Sequence, residues 1–156
     1  MTIYFDDIAV GDRCTSTRLT VTQTHIVGFA GLTGDFNPLH MDAEFAKSVG
    51  YDTTIAHGML GHALSTGLRS AIDDWAIMAF LQTQRSFRRP IFAGDTVRYE
   101  AEIVETRASE SKADRGVVRV SIHLKNQEGT VVQEGEDVFL VMRDTAGKAG
   151  GGDARS

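Results

Sequence analysis

The sequence predicts an α+β domain in which one long helix is wrapped by an antiparallel sheet, and three observations carry this. In HGMLGHALSTGLRSAIDD (57–74), Met59, Leu60, Ala63, Leu64, Gly67, Leu68, Ala71 and Ile72 fall in pairs four apart, making one continuous apolar stripe. Gly58, Gly61 and Gly67 would each cost about 1 kcal/mol against alanine inside a helix, so another backbone is expected to pack close to them. Four strand-like segments then follow, at 76–89, 95–108, 116–127 and 130–143. Val97, Tyr99, Ala101 and Ile103 alternate with polar residues, as do Val118, Val120, Ile122 and Leu124, so these strands have one wet face.

The earlier elements are shorter. RCTSTRLTVT (13–22) is threonine-rich with partial alternation and reads as a strand. Thr22 or Thr24 can then cap a helix whose apolar face is Ile26, Val27, Phe29, Ala30 and Leu32, with Gly34 as its stop. Residues 35–41 read as loop, because Pro38 lacks an N–H and biases Asn37 away from helical torsions. DAEFAKSVG (42–50) reads as a two-turn helix capped by Asp42 and stopped by Gly50, and NQEG (126–129) as a hairpin turn.

At 156 residues, 42% apolar and 24% charged, the chain suits one soluble domain, expected over 1–143. The glycine-rich end, 144–156, has no apolar anchor and is expected to be disordered. No apolar run approaches the roughly 20 residues that span a bilayer, and the N-terminus lacks the pattern of a signal peptide, so no membrane association and a cytoplasmic location are expected. The single Cys14 cannot form an internal disulfide and is read as a packing residue. A formal charge of −5 argues against nucleic acid as a partner.

Within GDFNPLHMDAEFA (34–46), Asp35 and His40 lie close together around the rigid Pro38. A carboxylate and an imidazole facing one pocket can share acid and base duties. Taken by itself the loop reads first as a turn, with Asp35 capping the chain and His40 bonding locally. His57 and His62 do not suggest a metal, since a five-residue spacing turns about 140° around a helix. His57 is read instead as fixing the helix start, and His25 and His123 as ordinary surface or packing residues. Arg85, Arg88 and Arg89 form the densest basic cluster.

FAGLTGDFNPLHMDAEFA (29–46) resembles the signature of the MaoC-like, or R-specific, enoyl-CoA hydratases. IAHGMLGHALSTGL (55–68) is similar to that family's central helix, and SFRRPIFAGDTV (86–97) to its downstream strand and turn. The resemblance covers most of residues 5–142 in the right order and implies a hot-dog fold. It further implies reversible hydration of a trans-2-enoyl-CoA to the (R)-3-hydroxyacyl-CoA, with no cofactor beyond the CoA of the substrate and no metal. By motif position Asp35 and His40 would be the catalytic pair, and the Gly58 N–H would face the thioester oxygen as charge builds there. Asn37, His57, Ser65 and Thr66 would border the substrate; some relatives have a serine where this chain has Thr66. Arg85, Arg88 and Arg89 would meet the CoA phosphates. A homodimer is expected, because one such sheet leaves an open edge. A thioesterase on the same fold and a non-catalytic acyl-CoA-binding subunit are the competing classes; the acid–base loop argues against both.

Overall fold

The computed structural model describes residues 1–145, so the glycine-rich end expected to be disordered lies almost wholly outside the described residues. A 3₁₀ turn, Phe5–Asp7, precedes two short strands, β1 (Arg13–Thr15) and β2 (Leu19–Thr20). The single strand expected over 13–22 is thus split. Its interruption has a local cause: the Ser16 hydroxyl accepts the Tyr99 N–H (2.9 Å), and the Thr17 N–H leaves the sheet for the Arg69 carbonyl (2.8 Å).

Helix α1 (Gln23–Thr33) starts as expected, with the Thr22 hydroxyl accepting the His25 N–H, and ends at Gly34 with φ of 80°. Its buried face is narrower than expected. Ile26 and Ala30 are buried, whereas Val27 and Leu32 face solvent, because α1 lies on the surface and turns only one i, i+4 row inward. The 35–41 loop contains a helical turn, α2 (Pro38–Met41). Pro38 begins it rather than preventing it, since the first position of a helix has no use for the missing N–H. Asn37 caps that turn through Leu39 N–H (3.0 Å), and Asp42 caps α3 (Ala43–Ser48) through the Glu44 and Phe45 N–H groups (both 3.0 Å).

The central helix, α4, runs only from Gly58 to Thr66. The apolar stripe expected to continue to residue 74 is broken after Gly67, and a separate 3₁₀ turn, Ala71–Asp74, carries its last residues. Two interactions impose the break. Thr17 and Arg69 exchange hydrogen bonds that pin the chain to the β1–β2 link, and Ser70 opens a new cap with Asp73, whose carboxylate accepts the Ser70 N–H (2.6 Å).

Four long strands follow: β3 (Ile77–Phe87), β4 (Thr96–Ala108), β5 (Arg115–Lys125) and β6 (Val131–Met142). They pair antiparallel in the order β1-β4-β5-β6-β3, with β2 also on β4. This is the α+β hot-dog arrangement, with a sheet around α4. Inward residues alternate as the sequence indicates: Val97, Tyr99, Ala101 and Ile103 on β4 and Val118, Val120, Ile122 and Leu124 on β5 are buried with Leu60 of α4. The turn after β5 bonds Gly129 N–H to the Asn126 carbonyl (3.0 Å). β3 is an edge strand on which Met78, Phe80, Leu81 and Phe87 are exposed. Among the described residues no helix is long and apolar enough to cross a membrane.

The glycines of α4 make room for side chains rather than for another backbone. A Cβ on Gly61 would meet the Gln133 amide and Ile91, and one on Gly58 would press on the Phe87 ring at 3.1 Å. Gly67 has only ordinary room around it and serves as the C-cap. The backbone-to-backbone approach occurs elsewhere, at Gly135 of β6, where a Cβ would fall on the Gln84 carbonyl of β3. Gly135→Ala is therefore expected to lower stability by about 3 kcal/mol, since it must push the two strands apart. Gly129→Ala, with open space but φ of 79°, should cost only about 1 kcal/mol. Urea denaturation of the two variants measures the difference.

Candidate active site

The loop before α2 and the start of α4 meet, and short-range bonds set the geometry. Thr33 Oγ1 accepts the Asp35 N–H (3.2 Å), and Asp35 Oδ1 accepts the Asn37 N–H (3.2 Å). The other carboxylate oxygen, Oδ2, faces His40 Nε2 at 4.0 Å. Asp35 is exposed, whereas His40, on α2, is buried.

Two ring-to-carbonyl bonds hold this pairing. His40 Nδ1 donates to the Ile55 carbonyl (2.7 Å), while Ile55 N–H donates back to the Leu39 carbonyl (3.0 Å). A carbonyl only accepts, so the neutral His40 ring carries its proton on Nδ1 and presents a bare Nε2 lone pair toward Asp35. His57, buried immediately before α4, donates from Nε2 to the Asp35 carbonyl (2.9 Å). Its ring stacks on that of His40 at 3.8 Å and is met edge-on by Phe29 at 5.0 Å. His57 makes no side-chain cap on α4; it ties the helix start to the loop instead.

Asp35, His40 and His57 each offer a metal-binding atom, all within 4.8 Å of one another. His40 Nδ1 and His57 Nε2 are already committed as donors to the Ile55 and Asp35 carbonyls, which leaves one bare nitrogen on each ring. Stacked rings aim their in-plane lone pairs side by side, and a tetrahedral ion needs ligands converging at about 2.0–2.2 Å.

Gly58 opens α4, so its N–H has no carbonyl partner within the helix and carries the positive end of the dipole. Its own carbonyl accepts from Gln133 Nε2 (2.9 Å). Gln133 is a buried contributor that no sequence pattern announced, because it sits 75 residues from Gly58. His57 and Gly58 line a cavity of about 260 Å³ together with Tyr51, Phe87, Arg88 and Arg89.

The basic cluster divides. Arg88 is half-exposed and paired with Glu134 (2.6 Å), and Arg89 is exposed with no ion pair among the described residues. Arg85 instead turns inward, its side chain only 3% exposed, and binds Asp137 (2.7 Å). It is not available as part of one surface patch. Ser65 and Thr66 lie toward the other end of α4, where their hydroxyls donate to the His62 (2.6 Å) and Ala63 (2.7 Å) carbonyls. They line a separate cavity of about 210 Å³, shared with Arg85 and Asp137, and do not meet Asp35 or His40. Of the other histidines, His25 completes the cap of α1 and His123 lies 3.9 Å from Glu134 on the sheet surface.

The class is that of a hot-dog domain in which a carboxylate and an imidazole converge near a helix N-terminus. The chain belongs to the MaoC-like family of hydratases and dehydratases: the model of the MaoC like domain matches residues 9–126. It is similar to the (R)-specific enoyl-CoA hydratase of Aeromonas caviae, 33% identical over 113 residues that make up 72% of this chain and 81% of the relative. Among solved structures it resembles a monoamine oxidase regulatory protein from Archaeoglobus fulgius, with a TM-score of 0.82 and 35% identity over 91% of this chain and 95% of the other. It also resembles the R-hydratase PhaJ1 from Pseudomonas aeruginosa, at 0.74 and 28% over 92% and 88%.

Behind the site, buried His62 contacts the Thr83 hydroxyl (2.9 Å), which donates to Asp137 Oδ1 (2.8 Å). Burial pushes the His62 pKa below its ordinary value of 6.5; the Arg85 charge lowers it further, and Asp137 opposes both. The unfolded chain therefore binds a proton at His62 before the folded one does. Stability is expected to fall as pH drops below about 6.5 and to level off once the folded pKa is passed. His62→Gln should flatten that part of the profile, as measured by urea midpoints of both proteins from about pH 7 to about pH 5.

Proposed function

We propose that this protein is an (R)-specific enoyl-CoA hydratase, adding water reversibly to a trans-2-enoyl-CoA to give the (R)-3-hydroxyacyl-CoA. The observation that carries the reading is the pair formed by Asp35 Oδ2 and the bare His40 Nε2. At 4.0 Å they are too far apart for a direct hydrogen bond and suitably spaced to hold one water between them. His40 takes one proton from that water as its oxygen bonds to C3. Asp35 accepts a hydrogen bond from the second O–H, which stays on the oxygen, and so orients the nucleophile. The electron pair of the C2–C3 double bond moves toward the thioester, whose oxygen becomes negative and meets the Gly58 N–H. The imidazolium then returns its proton to C2, so the pair ends as it began, and the reverse sequence is dehydration. His57 contributes by holding the Asp35 backbone, and Asn37 by capping the turn that carries His40.

Arg88 and Arg89 line the cavity that Gly58 also lines, which supports a role for them in meeting the phosphates of CoA. The similarity to the A. caviae enzyme favours a CoA thioester; 3-hydroxyacyl-[acyl-carrier-protein] dehydratases, such as a Solanum lycopersicum relative 30% identical over 122 residues, make the carrier-bound substrate the comparison to run beside it. The exposed apolar edge β3 supports a homodimer. Light scattering at micromolar protein should give twice the chain mass, and a monomer there would contradict this part of the reading.

Asp35→Asn and His40→Gln should each lower turnover of crotonyl-CoA by about 100-fold or more while the far-UV spectrum stays unchanged. The assay follows loss of the enoyl absorbance together with release of free thiol. A variant with near-parental turnover would remove that residue from the pair, and thiol release without hydration would make the protein a thioesterase.

A further inference from the structure

The β3–β6 pairing sets Phe87 opposite Gln133, and both side chains turn onto the first turn of α4. The Phe87 ring lies against Gly58, where an added Cβ would come within 3.1 Å of it. Gln133 covers Gly61, where an added Cβ would fall 2.5 Å from Nε2, and from there it donates to the Gly58 carbonyl (2.9 Å). Chemistry fixes the orientation of this amide: a carbonyl only accepts, so the end that meets Gly58 is Nε2. Gln133 Oε1 is then buried with no partner among the described residues.

Two features separate this contact from ordinary packing. Gln133 is only 2% exposed, and an apolar side chain of the same length would fill its place without burying a bare acceptor. What the amide adds is the Nε2 bond, and that bond falls on the residue whose N–H opens α4. Gly58 has no side chain to restrict its torsions, and the preceding His57 gives the helix no side-chain cap. The direction of the Gly58 N–H therefore depends on what grips the chain on either side of its Cα. On one side the His57 ring is tied to the Asp35 carbonyl (2.9 Å); on the other the Gly58 carbonyl is tied to Gln133.

We propose that Gln133 is a positioning residue for the hydration step: by holding the Gly58 carbonyl it sets the direction in which the Gly58 N–H meets the thioester oxygen. The inference rests on the reading of the protein as an enoyl-thioester hydratase. In this role Gln133 acts through Gly58. An oxyanion donor contributes most when it is already aimed at the oxygen as charge develops, so a small rotation of the first turn costs rate more than binding.

The test uses the full chain and Gln133→Met, which keeps the length of the side chain and removes both the Nε2 donor and the bare Oε1. The two losses act in opposite directions. The urea midpoint should stay level or rise, because no acceptor is buried unpaired, while kcat for crotonyl-CoA should fall by about 10-fold with KM changed less than about twofold. Butyryl-CoA labelled with carbon-13 at the thioester carbonyl, which cannot be hydrated, reads the contact without catalysis. Its carbonyl resonance should move downfield on binding the parent, and that shift should shrink in Gln133→Met. A kcat within about twofold of the parent's, an unchanged carbonyl shift or a lowered urea midpoint each overturns the inference, the last by making Gln133 a packing residue. If Gln133→Met does not fold, Gln133→Leu takes its place, and failure of both to fold overturns the inference in the same way. Hydration of crotonyl-CoA by the parent tests the underlying reading separately. A parent that binds butyryl-CoA but does not hydrate crotonyl-CoA sinks the hydratase reading, and the carbonyl shift alone then decides whether Gln133 aims the Gly58 N–H.

Discussion

The hydrogen bond from the His57 ring to the Asp35 carbonyl is the constraint on which the rest of the site depends. It joins two segments 22 residues apart and fixes the Asp35–His40 loop relative to the first turn of α4. The stacked His40 ring is then confined between His57 and the Ile55 carbonyl, so both its orientation and its tautomer are settled by neighbours rather than by Asp35. The carboxylate is divided in the same way: one oxygen is occupied by the Asn37 N–H, and the other is left facing the imidazole. A flexible loop would lose this arrangement to conformational entropy; here each partner is held by a backbone group.

Helix α4 borders a cavity at each end. Its N-terminus presents the Gly58 N–H, with no carbonyl partner within the helix, next to the His57 ring that stacks on His40, and its C-terminal half forms one wall of the cavity that Arg85 and Asp137 line. Small residues let the sheet close on it. Gly61 admits Gln133 and Ile91, and Gly58 admits the Phe87 ring, so the helix is gripped by side chains projecting from the strands and the β3–β4 connection. Gln133 then bonds the Gly58 carbonyl, locking the first turn against β6.

Most of the sheet was legible in the sequence because period-two alternation reports a local property, which face of a strand is dry. Val118, Val120, Ile122 and Leu124 are buried in the order the pattern requires. The adjacency of Asp35 and His40 was legible for a similar reason: five residues around a proline leave few paths. What could not be read depends on partners distant in sequence. The apolar stripe of 57–74 gives no sign that Thr17 will capture Arg69 and break the helix. Arg85 looks like its neighbours Arg88 and Arg89 until Asp137, 52 residues on, is brought opposite it by the β3–β6 pairing. Pro38 reads from sequence as a helix breaker for want of its N–H, yet at the first helical position that donor is superfluous.

The central claim is that His40 offers Asp35 a bare Nε2 because the Ile55 carbonyl holds the proton on Nδ1. Nitrogen-15 NMR of the imidazole rings, at a pH where His40 is neutral, measures this directly. The expected spectrum shows His40 protonated at Nδ1 and unprotonated at Nε2, with His57 protonated at Nε2. A neutral His40 carrying its proton on Nε2 would contradict the account, since the ring could then no longer take a proton from a water held against Asp35.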